Sequence, residues 1–468
     1  MTFSSLNPTL YVFSFVVFCV GWIVYQRCFS PLARIPGPFW ASISRLWYLQ
    51  RINAEDMHRY TKWLHEQYGP IVRIAPNECS VCDAQAWKEI YAVSGGYTKT
   101  DFYLTQAPNL SPHEDSFTQL DEKKHTFRRR MIQHIFTFKT VLENEKYMDT
   151  VTDLFMQRMG DLADKGAVFD ISEWVHWYTF DIIGELFFGR MFGFLRESKD
   201  IGGYIAAVDI ILPHAIRAAV LPKALRPLQI LLFPFSARFR HGVSVFNALT
   251  AVSKRLVDDR VAAGKGRPDM LEKLLDVART KAPAFDMSDV YTESYTAIFA
   301  GSDTTAVAIR SALYHLCKDP RVYARLEEEI DRFDVEGRLG HVVTYAEASR
   351  MPYLSAVCKE AMRVFPSIAL SFPRHVPDGG REICGYYIPA GYRVGVNPAA
   401  FHFVKSIFGE DADDFNPERW FRSEAKEMER HMFQFGQGTR QCIGKNEEEN
   451  RIASQIMVRK TGRGQYWR

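Results

Sequence analysis

The sequence is poor in cysteine, in net charge and in interdomain linkers. Eight Cys in 468 residues are too sparse for a disulfide scaffold. Lys and Arg number 58 against 55 Asp and Glu, a formal net charge of only +3. A general nucleic-acid binder carries a clear basic excess, so nucleic acid is excluded as a partner. No Ser/Gly/Pro-rich linker interrupts the chain, so one large domain is expected, although a prior of about 150 residues per domain would give three. No period of roughly 20 to 50 residues repeats. Apolar residues are plentiful at 47%, and aromatics reach 14% with 34 Phe. That composition excludes a disordered or collagen-like chain and supplies a large core.

Charge is absent from the first 26 residues. From Leu6 to Tyr25 the chain reads LNPTLYVFSFVVFCVGWIVY. As a helix this run spans roughly 30 Å, about the thickness of a bilayer core. Trp22 and Tyr25 stand at its end, where amphipathic rings favour the interface. Arg27 and Arg34 follow, while nothing basic precedes the run. The positive-inside rule therefore places the bulk of the chain in the cytosol. A cleaved secretory signal would want a basic start and a small-x-small site, and neither is present. Pro36, Gly37 and Pro38 then form a segment that cannot continue a helix and suits a stiff joint.

Beyond Trp40 most long stretches carry helical periodicity, with residues 150–162 and 245–261 as examples. Strand-like pieces are few: Ile71-Val72-Arg73-Ile74, Cys79-Ser80-Val81-Cys82, and a Gly-punctuated hairpin pattern from Ile383 to Val396. The fold class expected is mainly α with a small β portion. Cys79 and Cys82 form a C-x-x-C, but no second pair stands at metal-binding spacing. The two Cys read as strand packing rather than zinc or redox ligands.

The segment richest in chemistry is Phe435-Gly436-Gln437-Gly438-Thr439-Arg440-Gln441-Cys442-Ile443-Gly444. Gly436 and Gly438 allow a tight turn that points amide N–H groups at the sulfur of Cys442. Arg440 adds a positive charge two residues away, and both effects favour thiolate. A lone thiolate does not suit tetrahedral zinc. It suits the axial position of a metal whose other ligands come from a cofactor such as haem. A plain buried Cys beside a Gly-rich turn fits the same residues.

This segment resembles F-x-x-G-x-R-x-C-x-G, the haem-binding signature of the cytochrome P-450 family. Further motifs precede it in the order that family requires. Lys359-Glu360-Ala361-Met362-Arg363 holds E-x-x-R, whose charged pair shares one helix face. Phe415-Asn416-Pro417-Glu418-Arg419-Trp420 resembles the P-E-R-F element. Ala300-Gly301-Ser302-Asp303-Thr304-Thr305, inside an apolar stretch over 290–316, matches A-G-x-D-T-T. A Gly beside an acid and an alcohol is an odd choice there on propensity alone, and local strain or a groove would explain it. His125 and Arg129 lie where the family has W-x-x-x-R, with His125 in place of Trp. Phe372-Pro373-Arg374-His375 resembles the strand that carries another haem-binding Arg.

The resemblance implies a P-450 fold over residues 31–444, preceded by a single transmembrane helix within residues 1–30. It implies haem b with Cys442 as axial thiolate. It further implies Phe435, Gly438 and Gly444 against the haem, and Arg440, Arg129, His125 and Arg374 at its propionates. Glu360, Arg363 and Arg419 would form a buried structural network. Dioxygen would enter a groove in the helix, with Asp303 and Thr304 delivering protons. A thiolate ligand favours O–O cleavage. A reductase would supply electrons from NADPH. Residues 364–370 and 104–110 would line a pocket for an apolar small molecule. The cluster Lys123, Lys124 and Arg128 to Arg130 would dock an acidic electron donor.

Met351-Pro352-Tyr353-Leu354, Arg374-His375-Val376-Pro377 and Phe408-Gly409-Glu410-Asp411-Ala412 resemble fungal microsomal members around pisatin demethylase. That implies an endoplasmic reticulum anchor and secondary metabolism. Residues 445–468 depart from the pattern. Lys445-Asn446-Glu447-Glu448-Glu449-Asn450 puts three Glu where an apolar helix face is expected, and this tail accounts for the whole net charge of +3. A truncated or degenerate member with impaired haem binding and no catalysis is the competing reading.

Overall fold

The computed structural model describes residues 8–107, 110–227, 236–264 and 266–445. Helices dominate, as the periodicity requires. Those that matter for the site are α1 (Pro8–Val24), α2 (Arg45–Asn53), α3 (Met57–Tyr68), α4 (Glu122–Ile132), α5 (Glu145–Asp164) and α6 (Ile171–Ile183). They continue with α7 (Tyr204–Val220), α8 (Ala237–Ala263), α9 (Met270–Lys281), α10 (Met287–Lys318), α11 (Pro320–Val335) and α12 (Pro352–Val364).

Helix α10 is the axis of the molecule, and its ends are set by chemistry local to the sequence. Asp286 accepts from the Ser288 backbone N–H at 2.8 Å, and Asp289 closes a capping box back to the Asp286 N–H at 3.0 Å. At the other end Asp319 stops α10 and caps α11, whose first residue is Pro320. Between those caps α10 is continuous. Gly301 does not break it. A Cβ built there would lie 2.5 Å from Ile183 Cδ1, so this glycine is the close approach of α6 to α10. The expectation of local strain at Gly301 is therefore corrected: the missing side chain is a helix-packing requirement.

Seven short strands accompany the helices: β1 (Ile71–Ala75), β2 (Glu78–Val81), β3 (Thr98–Lys99), β4 (Arg374–His375), β5 (Arg381–Ile383), β6 (Tyr386–Ile388) and β7 (Arg393–Val396). The main sheet runs β1-β2-β7-β4-β3, and only the β2–β7 pairing is parallel. The hairpin expected over residues 383–396 is smaller than its pattern. β5 and β6 pair alone, and β7 leaves them to join the main sheet. Cys79 is buried in β2, which bears out strand packing.

The apolar start forms α1 and continues as a wider helical turn through Phe29, giving a 21-residue apolar helix from Thr9. Its foot is tied to the body. The buried Arg73 guanidinium donates to the Gln26 carbonyl at 2.8 Å and to Ser30 Oγ at 3.2 Å. The sequence reading of the tail beyond residue 445 lies outside the described residues.

Candidate active site

The loop before Cys442 is shaped by two left-handed glycines, Gly436 at φ 66° and Gly438 at φ 70°. Any other residue would be strained there. A Cβ on Gly438 would also meet the Tyr91 carbonyl oxygen at 2.4 Å, so that glycine is held by the chain itself. The turn closes through Gly436 N–H to Phe433 O at 2.9 Å and Cys442 N–H to Phe435 O at 2.8 Å. Phe435 is buried in the core shared by α10 and α12. Cys442 is exposed at the loop's end, and Gly444 lies in the turn that follows.

Behind the loop lies the expected charge network. Glu360 accepts from Arg363 Nη2 at 2.8 Å and from Arg419 Nε at 2.9 Å, and all three side chains are fully buried. Trp420 Nε1 and the Asn416 backbone N–H fill the remaining acceptor sites, at 3.0 and 2.9 Å. Arg363 also donates to the carbonyls of His402, Ala412 and Asp414. His402 ties this network to the loop: its Nδ1 donates to Arg363 O at 3.0 Å and its Nε2 accepts from Phe433 N–H at 2.8 Å. Burial holds the imidazole down at about 3, so it is neutral in both roles.

A second buried charge group has no such closure. β3 and β4 pair Lys99 directly opposite Arg374, an arrangement that repels unless something negative lies between. Arg374 donates to Tyr103 Oη at 2.6 Å and to the Pro373 carbonyl at 3.1 Å. Lys99 donates to the Phe117 carbonyl and rests 4.1 Å from the Tyr103 ring. Burial, then the facing charges of Arg374 and Arg440, hold Lys99 well below the usual lysine range.

Helix α4 completes this group. Its Arg129 donates to the Gln441 carbonyl at 2.6 Å and is the cation that acts on Cys442. His125 is buried with Nδ1 unpartnered, and burial with Arg440, Arg129 and Lys99 depresses it to about 3. Arg440 turns away from the sulfur: it pairs with Glu122 at 2.9 Å and donates to the Gln119 carbonyl at 2.6 Å. Arg440 is thus paired with Glu122 in the first turn of α4, and Arg129 is close enough to act on Cys442. Among the described residues no carboxylate lies within ion-pair distance of Lys99, Arg129 or Arg374. Buried cations in excess need an anion. A cofactor that carries two carboxylates and takes a thiolate ligand would fit this cradle, held by Lys99, Arg374 and Arg129 and by Cys442.

On the helix opposite, Asp303 and Thr304 diverge. Thr304 Oγ1 donates to Ala300 O at 2.7 Å, and Ser367 Oγ donates to the Thr304 carbonyl at 2.7 Å. Asp303 instead faces α6, where His176 Nε2 donates to its Oδ1 at 2.8 Å. The two side chains expected to act together thus lie on different flanks of α10. The basic cluster on α4 also divides. Arg128 is buried against Asp289 at 2.7 Å, Arg129 turns to the loop, and Lys123, Lys124 and Arg130 remain exposed.

Sequence reasoning missed Lys99, Glu122 and His176. The signal for His176 was a lone histidine in the apolar run Trp174-Val175-His176-Trp177-Tyr178. Lys99 sits in a strand of two residues, too short to show alternation.

A mainly α fold with a Cys-bearing Gly loop, a buried Glu–Arg–Arg network and a cationic cradle is the architecture of a haem-thiolate oxidoreductase. The Cytochrome P450 family model matches residues 35–446. A cytochrome P450 monooxygenase, gsfF, of Penicillium aethiopicum is 36% identical over 437 residues, covering 92% of this chain and 87% of the relative. Pisatin demethylase of Fusarium vanettenii is 32% identical over 445 residues, covering 92% and 84%. The chain belongs to the cytochrome P450 family and is an oxidoreductase of the monooxygenase class. The matched region includes the Cys442 loop, so the degenerate reading is not favoured.

Proposed function

We propose that Cys442 holds the iron of haem b and that Lys99, Arg374, Arg129 and His125 hold its carboxylates, with Arg440 in reserve behind Glu122. The observation that carries this is the surplus of cations around the loop: buried Lys99 opposite buried Arg374, and half-buried Arg129 beside Cys442, none with a carboxylate partner among the described residues. The bound group supplies dioxygen activation and insertion of one oxygen atom into a C–H bond of an apolar small molecule. Phe435, Gly438 and Gly444 keep the loop close and narrow. Thr304 presents a hydroxyl on the active face of α10, and Asp303 carries protons to it from the α6 side. The Glu360–Arg363–Arg419 network holds the loop in place and takes no part in the chemistry.

The chain is anchored by its apolar N-terminal helix as a single-pass protein of the endoplasmic reticulum, with the catalytic domain in the cytosol. Electrons come from NADPH through a reductase. The similarity to fungal monooxygenases and to pisatin demethylase supports a substrate from fungal secondary metabolism. The test is the reduced carbon-monoxide difference spectrum of the expressed chain. Wild type shows the thiolate band and Cys442→Ala lacks it; a band that survives in the variant overturns the assignment.

A further inference from the structure

His176 is a polar side chain with no obvious business where it stands. Helix α6 is buried on nearly every side, from Trp174 to Ile183. The α6–α10 contact is already closed by Gly301 against Ile183, so an ion pair is not needed to lock it. Burying an imidazole costs free energy unless it is bonded. Here the ring is bonded to the Asp303 carboxylate, at 2.8 Å. A carboxylate only accepts, so the proton is on Nε2 and the tautomer is fixed.

The pair lines a cavity with Ser302 from α10, Asp209 from α7, and apolar walls from Phe180, Leu249 and Phe299. His176 is buried, the Asp303 side chain is one-third exposed, and Asp209 is exposed. Asp209, on the exposed side of α7, thus lines the same small cavity as His176 and Asp303. Arg310, two turns along α10, acts on both Asp303 and Asp209, and Asp200 ahead of α7 acts on Asp209. Burial pushes Asp303 up, but the His176 hydrogen bond and charge pull it below the usual carboxylate range.

We propose that His176 positions the Asp303 carboxylate and feeds it protons drawn from the Asp209 side of the cavity. As the other ring nitrogen takes a proton from solvent in the cavity, Nε2 gives its proton to Asp303 Oδ1; once Asp303 has passed that proton on, proton exchange with solvent restores the Nε2–H form. Charge and atoms balance without any further reactant. The proposal rests on Asp303 as the proton carrier.

The experiment uses the full-length haem-loaded chain with reductase and compares wild type, Asp303→Asn, His176→Gln and His176→Phe. Gln keeps a donor to Asp303 but does not titrate; Phe removes both. NADPH oxidation should fall about tenfold in H176Q, the effect of a one-unit mismatch in proton affinity, with an enlarged solvent deuterium isotope effect. Its thermal midpoint and reduced carbon-monoxide band should match wild type. Infrared titration reads Asp303 without turnover: its protonated carboxyl band, identified by loss in D303N, should appear at higher pH in H176F than in wild type. Wild-type rates and isotope effects in H176Q, or an unmoved carboxyl band in H176F, overturn the proposal while D303N still slows turnover. Unimpaired turnover in D303N overturns the carrier assignment itself, and the proposal with it.

Discussion

Two groups of buried charge meet the Cys442 loop, and they are built on opposite terms. Around Glu360 every donor has an acceptor: two Arg, a Trp and a backbone amide converge on one carboxylate, and spare guanidinium N–H groups find carbonyls. Around Arg374 the cations outnumber their partners, and Glu122 is the carboxylate that pairs with any of them. The first group is complete with protein atoms alone. The second is complete only with an anion added. Complete networks hold a fold, whereas incomplete ones hold a ligand.

The sharpest break in that contrast is Glu360→Gln. It leaves Arg363 buried without a carboxylate and Arg419 with Asp411 alone, a change that costs about 3–5 kcal/mol. Chemical unfolding should show that loss, with haem content falling as a consequence of misfolding. Stability within about 0.5 kcal/mol of wild type would mean that the network is not closed.

In the open group the sign reverses. Lys99→Met removes a cation that repels Arg374, so the fold should hold. Haem should leave more readily, by about 10- to 100-fold, the worth of one hydrogen bond to a charged group. Transfer of haem to a scavenger protein measures it. An unchanged transfer rate would remove Lys99 from the cradle.

Each group also holds a histidine depressed to about 3: His402 in the closed one and His125 in the open one. An unfolded His titrates near 6.5, so between about pH 6.5 and 3 the unfolded chain binds protons that the folded chain refuses. Stability from either group is complete above that window and is lost as pH falls through it. Each residue should cost about 1 kcal/mol between pH 6.5 and 5.5. His402→Gln, which keeps both hydrogen bonds, should flatten the slope of the thermal midpoint whether or not haem is bound. His125→Gln should flatten it more without haem than with it, because bound carboxylates offset the cations that add to burial in depressing His125. Equal effects of haem on both slopes would erase the distinction between the groups.

The closed group was legible in the sequence because its members sit in spaced motifs whose pairing follows from helix geometry, Glu360 and Arg363 three residues apart and Arg419 in its own turn. The Cys442 loop was legible for the same reason, since two glycines and a Cys define one backbone path. The open group was only half legible. Arg374 and Arg129 were found by their place relative to the motifs, but Lys99 becomes a partner only through strand pairing across 275 positions of chain, between Lys99 and Arg374. Arg440 was read as a charge near the sulfur from its place two residues away, and as a propionate ligand from the family resemblance. Its side chain follows the nearest carboxylate instead, and that carboxylate belongs to a distant helix. Gly301 was read as a sign of local strain or a groove, and the structure sets Ile183 against it.

The smallest effect tests where the open group ends. Helix α4 turns His125, Arg128 and Arg129 inward, and leaves Lys123, Lys124 and Arg130 on the surface. Of the inner set, Arg128 is held by Asp289, so His125 and Arg129 should answer to haem and the outer set to an acidic electron donor. Exposed ion pairs contribute about 0.2–1 kcal/mol each. Lys123→Glu, Lys124→Glu and Arg130→Glu should therefore each weaken the reductase about threefold, with no change in the carbon-monoxide band or in haem transfer. The loss should shrink as salt rises past about 0.15 M, where the Debye length falls to about 8 Å. A reductase dependence that stays at wild-type values in all three variants would show that the outer face of α4 is only solvated. A change in haem transfer would show that the open group reaches through the helix to its outer face.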